Sequence, residues 1–209
     1  IDISQFDSSF LTSLEGMFEN TTALASINFG NNFQTSNVTN FRDMFLKAKS
    51  LTELDLHTWD VSSFNTDLRK VFNGCSSLTS LNLDGWDLSH TNTNGTHDWL
   101  AGTNSLQTFS MKGGKLPSNA NSLFADLKAT TINLDNLDTS GVTNMQMMFA
   151  RATGAIELDL HTWNVSNVQN MYQMFIGAKF TGINIDGWQT SSLTNMTSIF
   201  NGCINLANI

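Results

Sequence analysis

Histidine and cysteine are scarce in this chain, and two of each stand in matching surroundings. His57 and His161 lie inside the near-identical stretches LDLHTWDVSSF (54–64) and LDLHTWNVSNV (158–168). Cys75 and Cys203 each follow a glycine, in NGCSSL and NGCINL. A convergent pair of imidazoles is a metal site or an acid–base pair, and a convergent pair of thiols is a disulfide. Asp55, Asp84, Asp87, Asp135, Asp159 and Asp186 recur in similar settings and could offer carboxylates to a cation, a cationic protein patch or a glycan. Which of these groups converge depends on the elements that carry them.

Those elements repeat. A triplet of the form apolar–x–apolar returns at Ile1–Ile3, 27–29, 54–56, 81–83, 109–111, 132–134, 158–160 and 183–185, a spacing of roughly 26 residues. After each triplet comes an aromatic residue (Phe6, Phe33, Trp59, Trp86, Trp163, Trp188, with Leu137 once). A serine follows, then apolar residues at helix-like spacing such as Val168, Met171, Met174 and Phe175. Serine is a good helix N-cap, and Gly74, Gly177 and Gly202 stand where a left-handed residue would close a last turn. The expected unit is therefore strand, corner, short capped helix and turn. No such unit buries its apolar side alone, so stacking is required. The expected fold is an α/β repeat, a right-handed leucine-rich-repeat-like solenoid with short parallel strands on one face and short helices on the other. It runs over 1–209 as one domain of about eight units, irregular between about 90 and 131.

Stacking decides the chemistry. Strands about 4.8 Å apart leave His57 and His161, four units apart, about 19 Å from each other. Cys75 and Cys203, five units apart, lie about 24 Å from each other, against the roughly 7 Å a disulfide tolerates. Neither pair converges, and both cysteines are expected to be buried, free thiols. Trp59, Trp86, Trp163 and Trp188 are expected to fill the core at the corners. His90 and His97 flank an irregular loop with Asp98, but no ligand spacing supports a metal there. Asn40, Asn144, Asn170 and Asn195 form another column, where stacked amides would bond one another or the next turn. The serines serve the turns, the aspartates form columns and no nucleophile motif occurs, so neither catalysis nor a cofactor is expected.

Composition narrows the partners. The net charge of −8 and pI near 4.7 argue against nucleic acid and anionic membrane surfaces, which are bound through Lys and Arg. No stretch is apolar for long enough to span a bilayer. Only 13% of residues are charged, so the surface is built mainly of Asn, Ser, Thr and Asp.

The stretches TSNVTNFRDMF, TSGVTNMQMMF, VSNVQNMYQMF and SSLTNMTSIFNGC resemble the BspA-like leucine-rich repeats of bacterial surface proteins, found in lactobacilli, other Gram-positive bacteria and mycoplasmas. The resemblance implies export, surface display and binding to host or community partners, as one segment of a longer surface protein. It carries over no functional residue. It leads to the expectation of an extracellular, monomeric adhesion module for mucus, epithelial or matrix glycoproteins; a passive stalk and a glycan-active enzyme are the alternatives. The expected contacts are the outward strand positions Asp55, His57, Asp84, Asp87, Asp135, Asp159, His161 and Asp186. Trp99, Lys112 and Lys115 of the irregular stretch are expected to form a rim.

Overall fold

The computed structural model describes residues 1–91, 96 and 98–209. Its strands are β1 (Glu53–Asp55), β2 (Ser80–Asn82), β3 (Thr108–Ser110), β4 (Thr131–Asn133), β5 (Glu157–Asp159) and β6 (Gly182–Asn184). β1 to β4 form one parallel sheet in sequence order and β5 pairs with β6 in a second, each strand one turn of chain after the last. In β1, β3 and β5 the central residue (Leu54, Phe109, Leu158) is buried, and the first residue of each is exposed. The chain is a parallel β-solenoid. The repeating stacked architecture agrees with the expectation from spacing.

The expected helices are absent. Among the described residues there is no helix, and the stretches assigned to helices are chains of tight turns. Residues 41–48 show how the turns are built. Met44, Leu46 and Ala48 donate their amides back to Phe41, Asp43 and Phe45, closing three successive turns. The alternate amides of Phe41, Asp43, Phe45 and Lys47 donate to Asp67, Arg69, Val71 and Asn73 of the next rung, at 2.7–3.0 Å. A helix would spend every one of these amides internally.

This alternation needs two left-handed residues per rung. Asp43, Lys70, Met147 and Gln173 hold the first position, with φ of 56°, 54°, 52° and 54°. Gly74, Gly177 and Gly202, expected to end helices, hold the second, which Lys47 and Arg151 also occupy. A left-handed non-glycine residue costs about 1–2 kcal/mol. The axial hydrogen bonds and the buried side chains between them offset that cost. The serines placed as helix caps instead close Asx turns: Ser62 and Ser140 each donate amide and hydroxyl to the carboxylate two residues earlier, Asp60 and Asp138.

Apolar residues at spacing 3 and 4 still point inward from this ribbon. Phe18, Phe45 and Phe72 form a stacked column with ring centroids 5.6 and 5.9 Å apart, and Phe149, Phe175 and Phe200 form another at 5.7 and 5.5 Å. Trp59, Trp86 and Trp163 are buried, while Trp188, in the terminal rung, is only half-buried. Cys75 is buried with its thiol on the Phe45 carbonyl at 3.1 Å, and Cys203 is half-buried; both are free.

The strand ladder is interrupted at two joints. No pairing joins Ile27–Phe29 to β1 or β4 to β5, although the ladder of Asn119, Asn144, Asn170 and Asn195 runs on past the second joint. The chain closes up there by another route. Gly154, at φ 119°, lies so close to the previous rung that a Cβ would stand 2.1 Å from the Lys128 carbonyl oxygen. The effect reaches the core. Trp86 and Trp188 donate their indole N–H to Leu56 and Leu160 of the preceding rung at 2.9 Å, whereas the buried Trp163 indole N–H, just past the β4–β5 seam, has no partner.

Removing an indole N–H therefore has unequal consequences. Trp86→Phe removes one of the two hydrogen bonds to the Leu56 carbonyl, which keeps the Trp59 amide, and is expected to cost about 0.5–1.5 kcal/mol more than Trp163→Phe, which removes an already unpaired donor. Chemical denaturation of the two variants measures the difference; equal losses would refute this account of the seam.

Burial pushes the Cys75 thiol from an ordinary value near 9.0 up to about 12, against a smaller opposing contribution from the Ala48 backbone. A thiol held protonated in the fold ionises sooner in the unfolded chain. Its contribution to stability is therefore full below about pH 9 and is lost as pH rises towards 12. Cys75→Ala is expected to flatten this alkaline decline by up to about 1.4 kcal/mol per pH unit. Parallel melting curves of parent and variant between pH 8 and pH 11 would contradict it.

Candidate functional site

The outward face of the strands is a column of short polar residues: Asp2, Asn28, Asp55, Asn82, Ser110, Asn133, Asp159 and Asn184. Each Asp or Asn accepts the amide two residues onward. The donors are Ser4, Gly30, His57, Asp84, Asp135, His161 and Asp186, at 2.9–3.4 Å. One side-chain oxygen is thus tied to the backbone, and amides of the column bridge rungs: Asn28 donates its side-chain amide to the Asp2 carboxylate at 3.2 Å and Asn82 donates its own to the Asp55 carboxylate at 3.0 Å, while Asp55 and Asp159 stay exposed. Ser110 is too short for this turn. Asp84 of the previous rung replaces it, accepting the Lys112 amide at 2.8 Å and the Ser110 hydroxyl. Asp84 is therefore half-buried and largely committed to the fold.

Asp55 and Asp159 carry the same extra contact. His57 and His161 each place Nδ1 2.7 Å from the carboxylate two residues earlier. The His161 side chain, ahead of its backbone amide, holds the Asp159 carboxyl below the usual carboxylate range. About half or more of each of these four side chains is exposed, so the pairs are solvated surface features. Glu53 and Glu157 stand exposed two residues before Asp55 and Asp159 and add a second carboxylate to each. Sequence reasoning missed them, although both strands read ELD. Asp159 and Asp186, with Glu157, Asn184 and Ile209, border a shallow groove of about 360 Å³ at the end of the second sheet.

The remaining expected residues divide. Asp135 is exposed beside β4, as is Lys112 beside β3. Asp87 is half-buried and spent on the Ser89 amide at 2.8 Å. Lys115 sits in a ladder between Asp87 and Asp138, its ammonium 3.8 Å from the Asp138 carboxylate, so it offsets acid within the column. Trp99 contradicts the expected rim. It is 1% exposed, inside the turn ribbon, with its indole N–H on the Leu123 carbonyl at 2.6 Å. The structure therefore brings Asp55, His57, Asp84, Lys112 and Asp135 onto the face of the first sheet, and Asp159, His161 and Asp186 onto that of the second.

The arrangement can bind; its fixed acceptors and carboxylates would suit a polar or cationic surface. Among the described residues no group of three or more His, Cys, Asp or Glu is placed to hold a metal ion. His97 of the His90–His97–Asp98 loop lies outside the described residues. In the column at Asn40, Asn144, Asn170 and Asn195 each side chain closes its own turn, and those of Asn40, Asn144 and Asn170 reach back to Glu15, Asn119 and Gln146 of the preceding rung, not to one another.

No curated protein and no solved structure matches the chain. A family described as "Mycoplasma protein of unknown function, DUF285" matches over residues 1–110 and 118–208. With nearly all of its rungs inside that match, the chain belongs to this Mycoplasma family, DUF285.

Proposed function

We propose that this solenoid is a non-catalytic binding module of a bacterial surface protein. In this reading its Asp/Asn sheet face engages a host mucus, epithelial or matrix glycoprotein outside the cell. The observation that carries the reading is the outward column itself. At the exposed Asp55 and Asp159 one carboxylate oxygen is locked by the turn, so the carboxylate is presented without paying to order a long side chain. A row of such contacts, each weak alone, adds up over an extended partner. Exposed Glu53, Asp55, Asp135, Glu157, Asp159 and Asp186 favour cationic patches on that partner. The repeat's resemblance to BspA-like surface proteins supports the extracellular setting.

Asparagine already closes the same turn at positions 28, 82, 133 and 184, so an amide is tolerated at Asp159, while Asp135 and Asp186 are exposed and join their turns through the backbone amide alone. The triple variant Asp135→Asn, Asp159→Asn, Asp186→Asn is therefore expected to keep the parent's melting temperature. Its binding to a panel of immobilised mucin and matrix glycoproteins is expected to weaken about tenfold at low salt, about 1.4 kcal/mol, with a smaller salt dependence. Unchanged binding by the folded variant would sink the acidic-face assignment. Failure of the parent to bind any panel member would favour the passive stalk.

A further inference from the structure

The net charge of −8 conceals a division between the two sides of the solenoid. Twelve of the 18 Asp and Glu lie on the strands or on the corners that follow them, with Lys112 and Lys115 as the cations there. The turn ribbons and the stretches that return from them carry the other eight Lys and Arg against six acids. That side of the molecule is therefore net positive. The excess is concentrated. Residues 40–52 and 67–79, the ribbons and returns of two successive rungs, hold Arg42, Lys47, Lys49, Arg69 and Lys70 against Asp43 and Asp67.

The arginines and the acids of this patch neutralise one another. Arg69 lies along the Asp67 carboxylate, with Nε 2.9 and 3.0 Å from its two oxygens, and Arg42 Nε is 3.2 Å from Asp43. The lysines supply what is left over. Lys47, Lys49 and Lys70 are exposed, and among the described residues none of them joins an ion pair. Lys47 leans towards the rung of Lys70: its Cγ stands 3.1 Å from where a Cβ on Gly74 would be, so the glycine leaves room for the lysine stem. Glu15 and Glu19 bound the patch in the ribbon before, and Asp98 bounds it in the ribbon after. The positive surface is thus two rungs deep, about 10 Å along the axis.

We propose that this patch binds an anionic glycan segment through its sulfate or carboxylate groups, on the side of the solenoid away from the acidic sheet face. The inference rests on the glycoprotein reading above and adds to it a second contact of opposite charge. Lysine suits the task, because a point charge on a flexible stem can meet anionic groups of varied spacing without the fixed fork geometry of arginine. The depth of the patch selects a short segment. A broad phospholipid surface fits worse, since it would also press against the flanking acids Glu15, Glu19 and Asp98.

Calorimetry at low salt is expected to show the chain binding a heparin-derived tetrasaccharide but not its desulfated counterpart. Binding should fade above about 0.15 M salt, where the screening length falls to about 8 Å. Gln173 fills the left-handed column of Lys70, and Asn20 fills that of Lys47, so amides suit both positions. The variant Lys47→Asn, Lys49→Gln, Lys70→Gln is therefore expected to keep the parent's melting temperature and to lose about tenfold or more in affinity. Arginine at the same three positions, with Arg151 as precedent in the Lys47 column, is expected to retain binding. The sheet-face variant Asp135→Asn, Asp159→Asn, Asp186→Asn should bind the tetrasaccharide no more weakly than the parent, which separates the two faces. Three results would each overturn the patch assignment, whatever the sheet face does on the glycoprotein panel. They are a parent that does not bind the sulfated tetrasaccharide, a folded lysine-depleted variant that binds as the parent does, and binding to phosphatidylglycerol vesicles in place of the tetrasaccharide.

Discussion

Everything in this molecule depends on how each backbone amide in the turn ribbons is spent. One amide closes a turn within the rung, the next points along the axis to the following rung, and the pattern repeats. A net hydrogen bond contributes only about 0.5–1.5 kcal/mol, but a buried amide left without a partner costs about 1–3. The second figure is the constraint. A rung cannot be buried between neighbours unless its alternate amides find carbonyls there, and that requirement fixes register, direction and the two left-handed residues per rung.

That constraint is why the repeat was legible and the helices were misread. The strand triplets centred on Leu54, Leu81, Phe109, Ile132, Leu158 and Ile183 are visible from alternation alone, within a residue of the observed bounds. On the opposite side, Met171, Met174 and Phe175 stand at a spacing that a helix and a ribbon of turns both direct inward. What separates the two is a residue near φ +55° every fourth position. Asp43, Lys70, Met147 and Gln173 fill that position without announcing it. Had glycine filled both columns, the sequence would have argued against a helix. Serine misled for a related reason: one hydroxyl serves a helix N-cap or an Asx turn equally well.

Regularity of sequence and continuity of the sheet turn out to be separate properties. The stretch from about 90 to 131 breaks the spacing, yet β2, β3 and β4 pair straight through it in register. Trp99 there is a core residue, and Lys115 is a counter-charge inside an acidic column. The two best-matched stretches behave in the opposite way. LDLHTW at 54–59 and at 158–163 each open a sheet segment, immediately after a joint where the strand ladder fails. Each of these segments begins with an exposed Glu, and each carries the solvated Asp–His pair. The near-repetition follows a structural position, the first strand after a seam.

Site and scaffold are hard to separate here, because the polar columns serve both. An aspartate on the sheet face gives one oxygen to the backbone two residues onward, and at Asp55 and Asp159 the carboxylate stays exposed to solvent or partner. Replacing it with asparagine changes the outward charge and leaves the turn closed, as the natural alternation of Asp2, Asn28, Asp55 and Asn82 shows. Replacing it with serine moves the burden elsewhere, and Asp84 answers for Ser110 from the rung before. The column therefore tolerates exchange of charge but not loss of an acceptor. Such a face can be retuned from acidic to neutral, rung by rung, without disturbing the stack beneath it. A family built on this repeat can thus vary what it presents while conserving how it folds.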